Sequence, residues 1–218
     1  MRNRFDEQLA LLNREMIEMG ALCEEIIALA AKALSEEGAG EAQLVARIAP
    51  ISAEIDEKER SVETMCLKLL LQQQPVAKDL RTISAALKMI TDLERIGHQA
   101  EDISEIIPFL SGRQTENSLL LREMAKASIK MVTDSVDAYV RGDTETAAAV
   151  IRYDDVVDDF FEQVKGELIA LIAKNPSDGE YALDLLMIAK YFERIADHAV
   201  NVAEWVIFSV TGEHNSIG

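Results

Sequence analysis

Two stretches of this sequence place acidic and polar side chains at intervals of one helical turn. The stretch near the C-terminus has spacings of four, four and three residues and contains Glu193, Asp197, Asn201 and Glu204. The same spacings occur 99 residues earlier, in Glu94, His98, Asp102 and Glu105. With 3.6 residues per turn, each set lies on one stripe of a helix. The spacing therefore predicts two helices that each present a row of potential metal ligands.

Acidic stripes of this kind also occur on two further helices. The first of these contains Asp56, Glu59 and Glu63, and the second contains Asp155, Asp158, Asp159 and Glu162. Exposed carboxylates one turn apart repel each other by roughly 0.2–0.5 kcal/mol. A bound cation makes the interaction among these carboxylates favourable, and stripes on neighbouring helices can converge on such an ion. The alternative interpretation is a solvated acidic face on each helix, with Arg95 and Arg194 as local partners.

The metal interpretation identifies a definite set of ligands and ions. A neutral imidazole at His98 favours iron, zinc or manganese over magnesium or calcium. We therefore expect divalent or trivalent metal ions, and the choice among iron, zinc, manganese and magnesium stays open. The candidate ligands are Asp56, Glu59, Glu94, His98, Asp102, Asp155, Asp158, Asp159, Glu193, Asp197 and Asn201.

The sequence lacks the motifs of the common catalytic classes. It contains no Walker-type phosphate loop, no GxGxxG, no GxSxG and no HExxH. A di-iron bundle enzyme requires Glu-x-x-His on two helices. The residues three positions before the three histidines are Arg95, Ile195 and Thr211, so that pattern is absent as well. We predict that the protein is not an enzyme; a metal-dependent oxidase or phosphatase and a metal-free helical scaffold are the alternatives.

The elements that position these residues are long helices. Apolar residues recur at spacings of three and four, while most of the 10 glycines and 4 prolines fall at a few places, which indicate helix boundaries. Pro50 is expected to kink the second helix, and Pro108 to distort the third near its end. We find no strand-like alternation. The pattern predicts six helices, at about Phe5–Glu37, Glu41–Gln74, Val76–Leu110, Thr115–Arg141, Thr144–Lys174 and Glu180–Val210.

A single internal repeat relates the two halves of the chain. The tripeptide Glu94-Arg95-Ile96 returns as Glu193-Arg194-Ile195, and no gap is needed between Asp56 and Phe109. Repeated units of this length indicate duplicated supersecondary structure. We therefore predict an all-α fold of two tandem three-helix bundles related by a pseudo-twofold axis, with residues 1–112 as the first repeat and 113–218 as the second.

Composition restricts the partners and the compartment. The formal charge is −17, which repels nucleic-acid backbones, and the sequence has no evident basic patch. Cys23 and Cys66 lie far apart among apolar residues and are expected to be buried and reduced. There is neither a leader-like N-terminus nor an apolar run long enough to span a membrane. These features predict a cytoplasmic protein that does not bind nucleic acid; we also expect a homodimer, through a face that the sequence does not identify.

Three segments resemble the signature sequences of the PhoU family. Two of them are Asp92–Gly97 and Phe192–Glu204, and the third is Leu71–Arg81, which resembles the family's turn between its second and third helices. The resemblance covers nearly the whole chain in length, helix order and duplication.

The resemblance implies a cytoplasmic negative regulator of phosphate uptake and of the phosphate-starvation response. Such proteins link the ATPase subunit of the phosphate ABC transporter with a sensor histidine kinase. The family also carries multinuclear metal clusters at a Glu/Asp-x-x-x-Asp motif in each repeat. Glu193 and Asp197 match that motif; Glu94 matches its first position, while His98 stands where the family usually has Asp.

Overall fold

The computed structural model describes residues 2–73, 75–110, 113 and 118–213. Two short 3-10 helices, Ile107–Leu110 and Pro176–Asp178, accompany the long helices. Within the described residues there is no β-strand, so the predicted all-α class is confirmed. The six long helices are α1 (Arg2–Ala33), α2 (Ala39–Gln73), α3 (Ala77–Ile106), α4 (Ser118–Arg141), α5 (Thr144–Lys174) and α6 (Gly179–Thr211).

Each helix buries the apolar stripe that its sequence carries. In α1 the fully buried residues include Leu12, Met16 and Met19, and in α6 they include Ile188 and Phe192. These positions follow the spacing of three and four that keeps side chains on one helical face. Burying one such side chain contributes about 1.5–3 kcal/mol. Packing of these stripes, rather than intrinsic helix propensity, is therefore the main source of helix stability.

The helices pack as two bundles joined through two helix pairs. α1, α2 and α3 contact one another, as do α4, α5 and α6, while α3 packs on α6 and α1 packs on α4. This arrangement confirms the predicted pair of three-helix bundles. The division of the chain at residues 112 and 113 stays a prediction, and the expected break at Ser111–Gly112 lies outside the described residues.

Polar contacts between α3 and α6 follow the internal repeat. Asp92 Oδ1 lies 2.9 Å from His198 Nδ1 and accepts a hydrogen bond from Asn201 Nδ2 at 3.1 Å. The related residues at the 99-residue shift are Tyr191 and Asp102; burial and then the charge of Asp102 raise the pKa of Tyr191. Equivalent residues thus interact on both sides of the α3–α6 pair, and His198 contributes to this contact from α6.

The helix ends agree with the sequence prediction where a local signal exists. α5 has the predicted bounds, and the Asp143 side chain accepts hydrogen bonds from the backbone N–H groups of Glu145 and Thr146 at its start. Such N-terminal caps contribute about 1 kcal/mol. α3 ends at Ile106 and continues as a 3-10 helix around Pro108, which is the expected distortion.

Other helix ends differ from the prediction. α1 ends at Ala33, four residues before the predicted Glu37, because Ser35 and Glu36 donate to carbonyls three residues back and Gly38 adopts a φ of 63°. α2 continues through Pro50 as one helix, and the expected kink at this proline stays a prediction. The predicted end of the second helix at Gln74 and start of the fourth at Thr115 lie outside the described residues.

Both cysteine side chains are buried in the first bundle. The Cys23 thiol donates to the Leu93 carbonyl, with 3.3 Å between Sγ and O, so α1 is tied to α3 at this point. Burial raises the pKa of the Cys66 thiol to about 12 and also raises the pKa of Cys23. Among the described residues, no helix is long and apolar enough to cross a membrane.

Candidate metal centres

The acidic stripes lie where adjacent helices of each bundle face each other. α2 packs on α3 in the first bundle, and α5 packs on α6 in the second. Each stripe borders the buried apolar stripe of the same helix, so its side chains emerge at the edge of the helix–helix contact. The packing therefore brings the acids of α2 beside those of α3 and the acids of α5 beside those of α6. We call these two places the first site and the second site.

The first site consists of Asp56 from α2 with Glu94 and His98 from α3. One potential ligand atom from each residue can be chosen so that all three lie within 4.8 Å of one another. His98 Nε2 is 2.9 Å from Asp56 Oδ1, and all three side chains are half-buried. One imidazole nitrogen and two carboxylates match the ligand preferences of iron, zinc and manganese. The donor set therefore fits a metal ion.

Glu59 borders the first site, whereas Asp102 lies toward α6. Burial, followed by the charges of Glu94 and Glu63, raises the pKa of Glu59, which places this carboxyl beside the site. Burial, followed by the charges of Glu105 and Glu101, raises the pKa of Asp102, with His98 and Arg194 opposing the shift. Asp102 is thus not part of the three-residue group that brings its ligand atoms together.

The second site consists of Asp154 and Asp158 from α5 with Glu193 and Asp197 from α6. Burial, followed by the charges of Asp158, Asp197 and Glu193, raises the pKa of Asp154 to about 6. The pKa values of Asp158 and Asp197 are raised by burial first and by Glu193 second. Lys190, which pairs with Glu193, opposes both shifts. Four carboxylates thus share one electrostatic environment, which a cation would neutralise.

One oxygen of Asp154 has the environment expected of a ligand atom. Asp154 Oδ1 is buried and, among the described residues, has no hydrogen-bond partner. A buried carboxylate oxygen without a partner is costly, and binding to a cation removes that cost. The donors at the second site are oxygen atoms, which suit hard cations such as magnesium, manganese or ferric iron. The residues of the second site therefore also fit a metal ion.

Asp154 was absent from the candidate ligands drawn from the sequence. The internal repeat aligns Asp154 with Ile55, a fully buried core residue, so the duplication gave no reason to select it. The sequence signal available was its spacing of four from Asp158 on the same helix. Asp155 and Asp159, which the sequence did select, are exposed, although Asp155 contributes to the raised pKa values of Asp154 and Asp158.

Asn201 faces α3 instead of the second site. Its side-chain amide donates to Asp92 Oδ1 at 3.1 Å, beside His198. The repeat-related residue Asp102 likewise lies toward the other bundle, since it acts on the pKa of Tyr191. The third position of each predicted stripe thus contributes to the α3–α6 contact, and the first two positions face the sites.

We expect Asp154→Asn to stabilise the metal-free protein above about pH 6. Because the pKa of Asp154 is raised from 3.8 to about 6 in the folded state, folding is favoured while this group is protonated. That contribution is complete below pH 3.8 and is lost as pH rises through 6. After allowance for solvent screening, the gain at pH 8 is about 1 kcal/mol. Urea unfolding of chelator-treated protein between pH 4 and pH 8 measures the difference.

The control for this measurement is Glu167→Gln. Glu167 is exposed on the same helix, and the substitution removes the same charge about 20 Å from Asp154, at 1.5 Å per residue. We expect its effect to be small and nearly independent of pH in this range. An Asp154→Asn effect that does not grow between pH 4 and pH 8, or that matches the control, contradicts the assigned environment of Asp154.

Comparison with known proteins places this geometry in context. A family model described as the PhoU domain matches the chain twice, over residues 16–107 and 121–206. A protein named phosphate-specific transport system accessory protein PhoU homolog, from Clostridium acetobutylicum, is 32% identical over 97% of this chain and 96% of its own length. A protein of the same name from Deinococcus radiodurans is 33% identical over 97% of this chain and 99% of its own length.

Solved structures of similar proteins share the fold. The crystal structure of PhoU from Pseudomonas aeruginosa superposes with a TM-score of 0.86 at 29% identity and covers 96% of this chain and all of its own. A phosphate transport system regulatory protein PhoU from Streptococcus pneumoniae superposes with a TM-score of 0.83 at 25% identity, over 96% of this chain and 98% of its own.

Proposed function

This chain belongs to the PhoU domain family, and from that membership we propose that it is a non-enzymatic, metal-binding regulator of phosphate uptake. The observation that carries the proposal is the double match to the family model, which covers both bundles and both sites. The names of the curated relatives support a place beside the phosphate-specific transport system. We place the protein in the cytoplasm, as a homodimer.

The proposed mode of action is that of an adaptor. Helical faces of the protein contact the ATPase subunit of the phosphate ABC transporter and a sensor histidine kinase. Through these contacts the protein holds phosphate-starvation signalling down while phosphate is plentiful. Two bundles with long exposed helices support such a role, since they offer separate surfaces to two partners.

The proposed metal ions cross-link helices within each bundle. Asp56, Glu94 and His98 would hold an ion between α2 and α3. Asp154, Asp158, Glu193 and Asp197 would hold one between α5 and α6. When bound, each ion supplies positive charge that offsets the repulsion among these carboxylates. The chain's own contribution is to hold the donors on neighbouring rigid helices, which supports a structural role for the metal.

The regulatory proposal is tested in a strain that lacks this gene and carries a phosphate-starvation reporter. In phosphate-rich medium we expect the reporter to reach the level of starved cells, and the wild-type gene to restore repression. Binding of the purified ATPase subunit and of the kinase's cytoplasmic region to the purified protein then tests the adaptor role.

The outcomes separate the parts of the proposal. A reporter that stays silent in the deletion strain contradicts negative regulation. A reporter that responds while neither purified partner binds contradicts the adaptor mode of action but leaves regulation intact. Phosphate-ester turnover by the metal-loaded protein contradicts the non-enzymatic assignment.

A further inference from the structure

A groove between α1 and α4 differs in charge from the rest of the molecule. It has a volume of about 320 Å³, and its floor consists of the small or aliphatic side chains of Ala28, Ala31, Ala125 and Ile129. Three basic side chains line it, namely Lys32 from α1 with Arg122 and Lys126 from α4. We call this feature the α1–α4 groove. Among the residues that the structure describes, no acidic side chain lines it, although the chain carries a formal charge of −17.

Two of the other described grooves are mainly acidic, whereas a third is lined by Gln8, Leu11, Ser61, Thr64, Met65 and Lys68 and shows no acid among the described residues. A groove on α1 and α2 is lined by Glu18, Glu25, Glu54 and Lys58, and a neighbouring one by Glu15, Glu54, Glu57, Lys58 and Ser61. The interpretation that the chain has no basic patch comes from the sequence alone, in which Lys32 and Arg122 lie 90 residues apart. That interpretation is therefore wrong for the folded protein, since antiparallel packing of α1 on α4 brings the basic side chains together.

The polar groups of the groove make few contacts with the residues that the structure describes. Lys32 and Arg122 form no ion pair with any residue that the structure describes, whereas Lys126 pairs with Glu123 at 2.7 Å. The Ser35 hydroxyl oxygen is buried without a hydrogen-bond partner among the same residues. Two unpaired cations in an acidic protein attract negative charge from outside the chain.

An exposed leucine lies on the same stripe of α4 as two of the basic residues of the groove. Leu119 is 64% exposed and precedes Arg122 by three residues and Lys126 by seven, so it lies on the same stripe of α4. Exposed leucines are unremarkable singly. Here, however, Leu119 adds an exposed apolar side chain to the basic edge that Arg122 and Lys126 form along α4.

We propose that the α1–α4 groove docks an acidic amphipathic helix of a partner protein. The alanine floor allows a helix backbone to approach closely, as small residues do at helix–helix contacts. Carboxylates flanking the apolar stripe of that helix pair with Lys32, Arg122 and Lys126, in the helix-in-groove mode of recognition. A flat anionic membrane is the poorer occupant, because the surface is concave and the remainder of the chain repels negative lipid.

The inference rests on the adaptor part of the proposed function and deepens it. It assigns one of the partner contacts to a particular face and gives the chemistry of the segment that binds there. It requires neither of the two metal sites, because the α1–α4 groove lies on the α1 and α4 pair and the sites lie between α2 and α3 and between α5 and α6.

The test is site-specific photo-cross-linking in cells, with a photoreactive amino acid at Leu119 of the full-length protein. We expect a cross-link to a partner segment that is helical and rich in Asp and Glu, identified by peptide mass spectrometry. The triple variant Lys32→Glu, Arg122→Glu, Lys126→Glu should abolish the cross-link. Acid-to-Lys substitutions in the identified segment should restore it to that variant.

Two further variants separate charge and shape from general damage. Lys68→Glu, Lys78→Glu, Lys88→Glu makes the same charge change at exposed positions outside the groove and should leave the cross-link intact. Ala28→Trp fills the groove from an exposed position and should abolish the cross-link without changing the charge. Thermal unfolding verifies that every variant is folded.

Several results overturn the inference. The first is the absence of a cross-link in both phosphate-rich and phosphate-starved cells. The second is a cross-link to lipid, to a second copy of this chain or to a segment without acidic residues. The third is a cross-link that persists in the Lys32→Glu, Arg122→Glu, Lys126→Glu variant. An acidic helix from a protein other than the transporter ATPase or the kinase keeps the inference about the groove but contradicts its assignment to one of the adaptor contacts. If the phosphate-starvation reporter responds to the gene deletion but the cross-link is unchanged in the groove variants, the inference about the groove is refuted and the regulatory proposal is not.

Discussion

Glu193→Gln combined with Asp197→Asn is expected to remove about half of the metal bound by the wild-type protein. Both side chains belong to the second site, where the charges of Asp158 and Asp154 lie close by. The double substitution halves the number of carboxylates at this site and leaves the first site unchanged. Mass-spectrometric elemental analysis of protein purified without chelator or metal-affinity resin measures iron, zinc and manganese per chain.

The substitutions should not unfold the protein. They remove charges that repel their neighbours, so the metal-free variant should unfold at the same temperature as the wild type or slightly above it. The matched control is Glu37→Gln with Glu167→Gln, which changes the net charge equally at two exposed positions. Unchanged metal content in the second-site variant contradicts the assignment of this site. Equal metal loss in the control indicates that only the total charge matters.

Phe192→Ala is expected to lower the free energy of unfolding by about 3–5 kcal/mol. Phe192 is fully buried, and its backbone carbonyl accepts a hydrogen bond from the Ser128 hydroxyl of α4 at 3.2 Å. The substitution keeps that carbonyl, so its cost is the cavity left by the buried ring. Urea unfolding followed by circular dichroism measures the change.

The control for the cavity effect is Leu183→Ala. The Leu183 side chain is 59% exposed on α6, the helix that carries Phe192, so its truncation leaves no buried cavity. We expect its effect to stay within about 0.5 kcal/mol, as is usual for exposed positions. Similar losses for the two variants contradict the placement of Phe192 at the centre of the second bundle.

The helices were predictable because each has local signals. The apolar spacing of three and four identified all six, and Asp143 with Gly142 marked the start of α5 to the residue. The end of α1 was less predictable, because backbone hydrogen bonds form the turn at Ser35 and Glu36. No side-chain pattern in the sequence predicts these bonds. Ser111, Gly112 and the tail from His214 lie outside the described residues.

The sites were predictable only in part, because spacing fixes a stripe but not the neighbouring helix it faces. Glu94 with His98, and Glu193 with Asp197, face the acids of the helix beside them as the spacing indicated. Asn201 continues the same stripe but bonds across to α3, since the two bundles meet there. Asp154 was missed because its repeat partner is Ile55, and only the folded chain shows that one of its oxygens is buried.

The positions of the two cysteines allow local unfolding of the first bundle to be measured by thiol labelling. Cys23 and Cys66 are the only cysteines in the sequence, and both lie in α1 and α2. Alkylating reagents attack the thiolate, and burial both shields these sulfurs and raises their pKa values. The rate of thiol alkylation in the native protein therefore measures how often the first bundle opens. It does not report opening of the second bundle, which contains no cysteine. Cysteine labelling rates can be compared with amide hydrogen-exchange rates in both bundles. This comparison distinguishes cooperative unfolding of the whole molecule from separate local unfolding of each bundle.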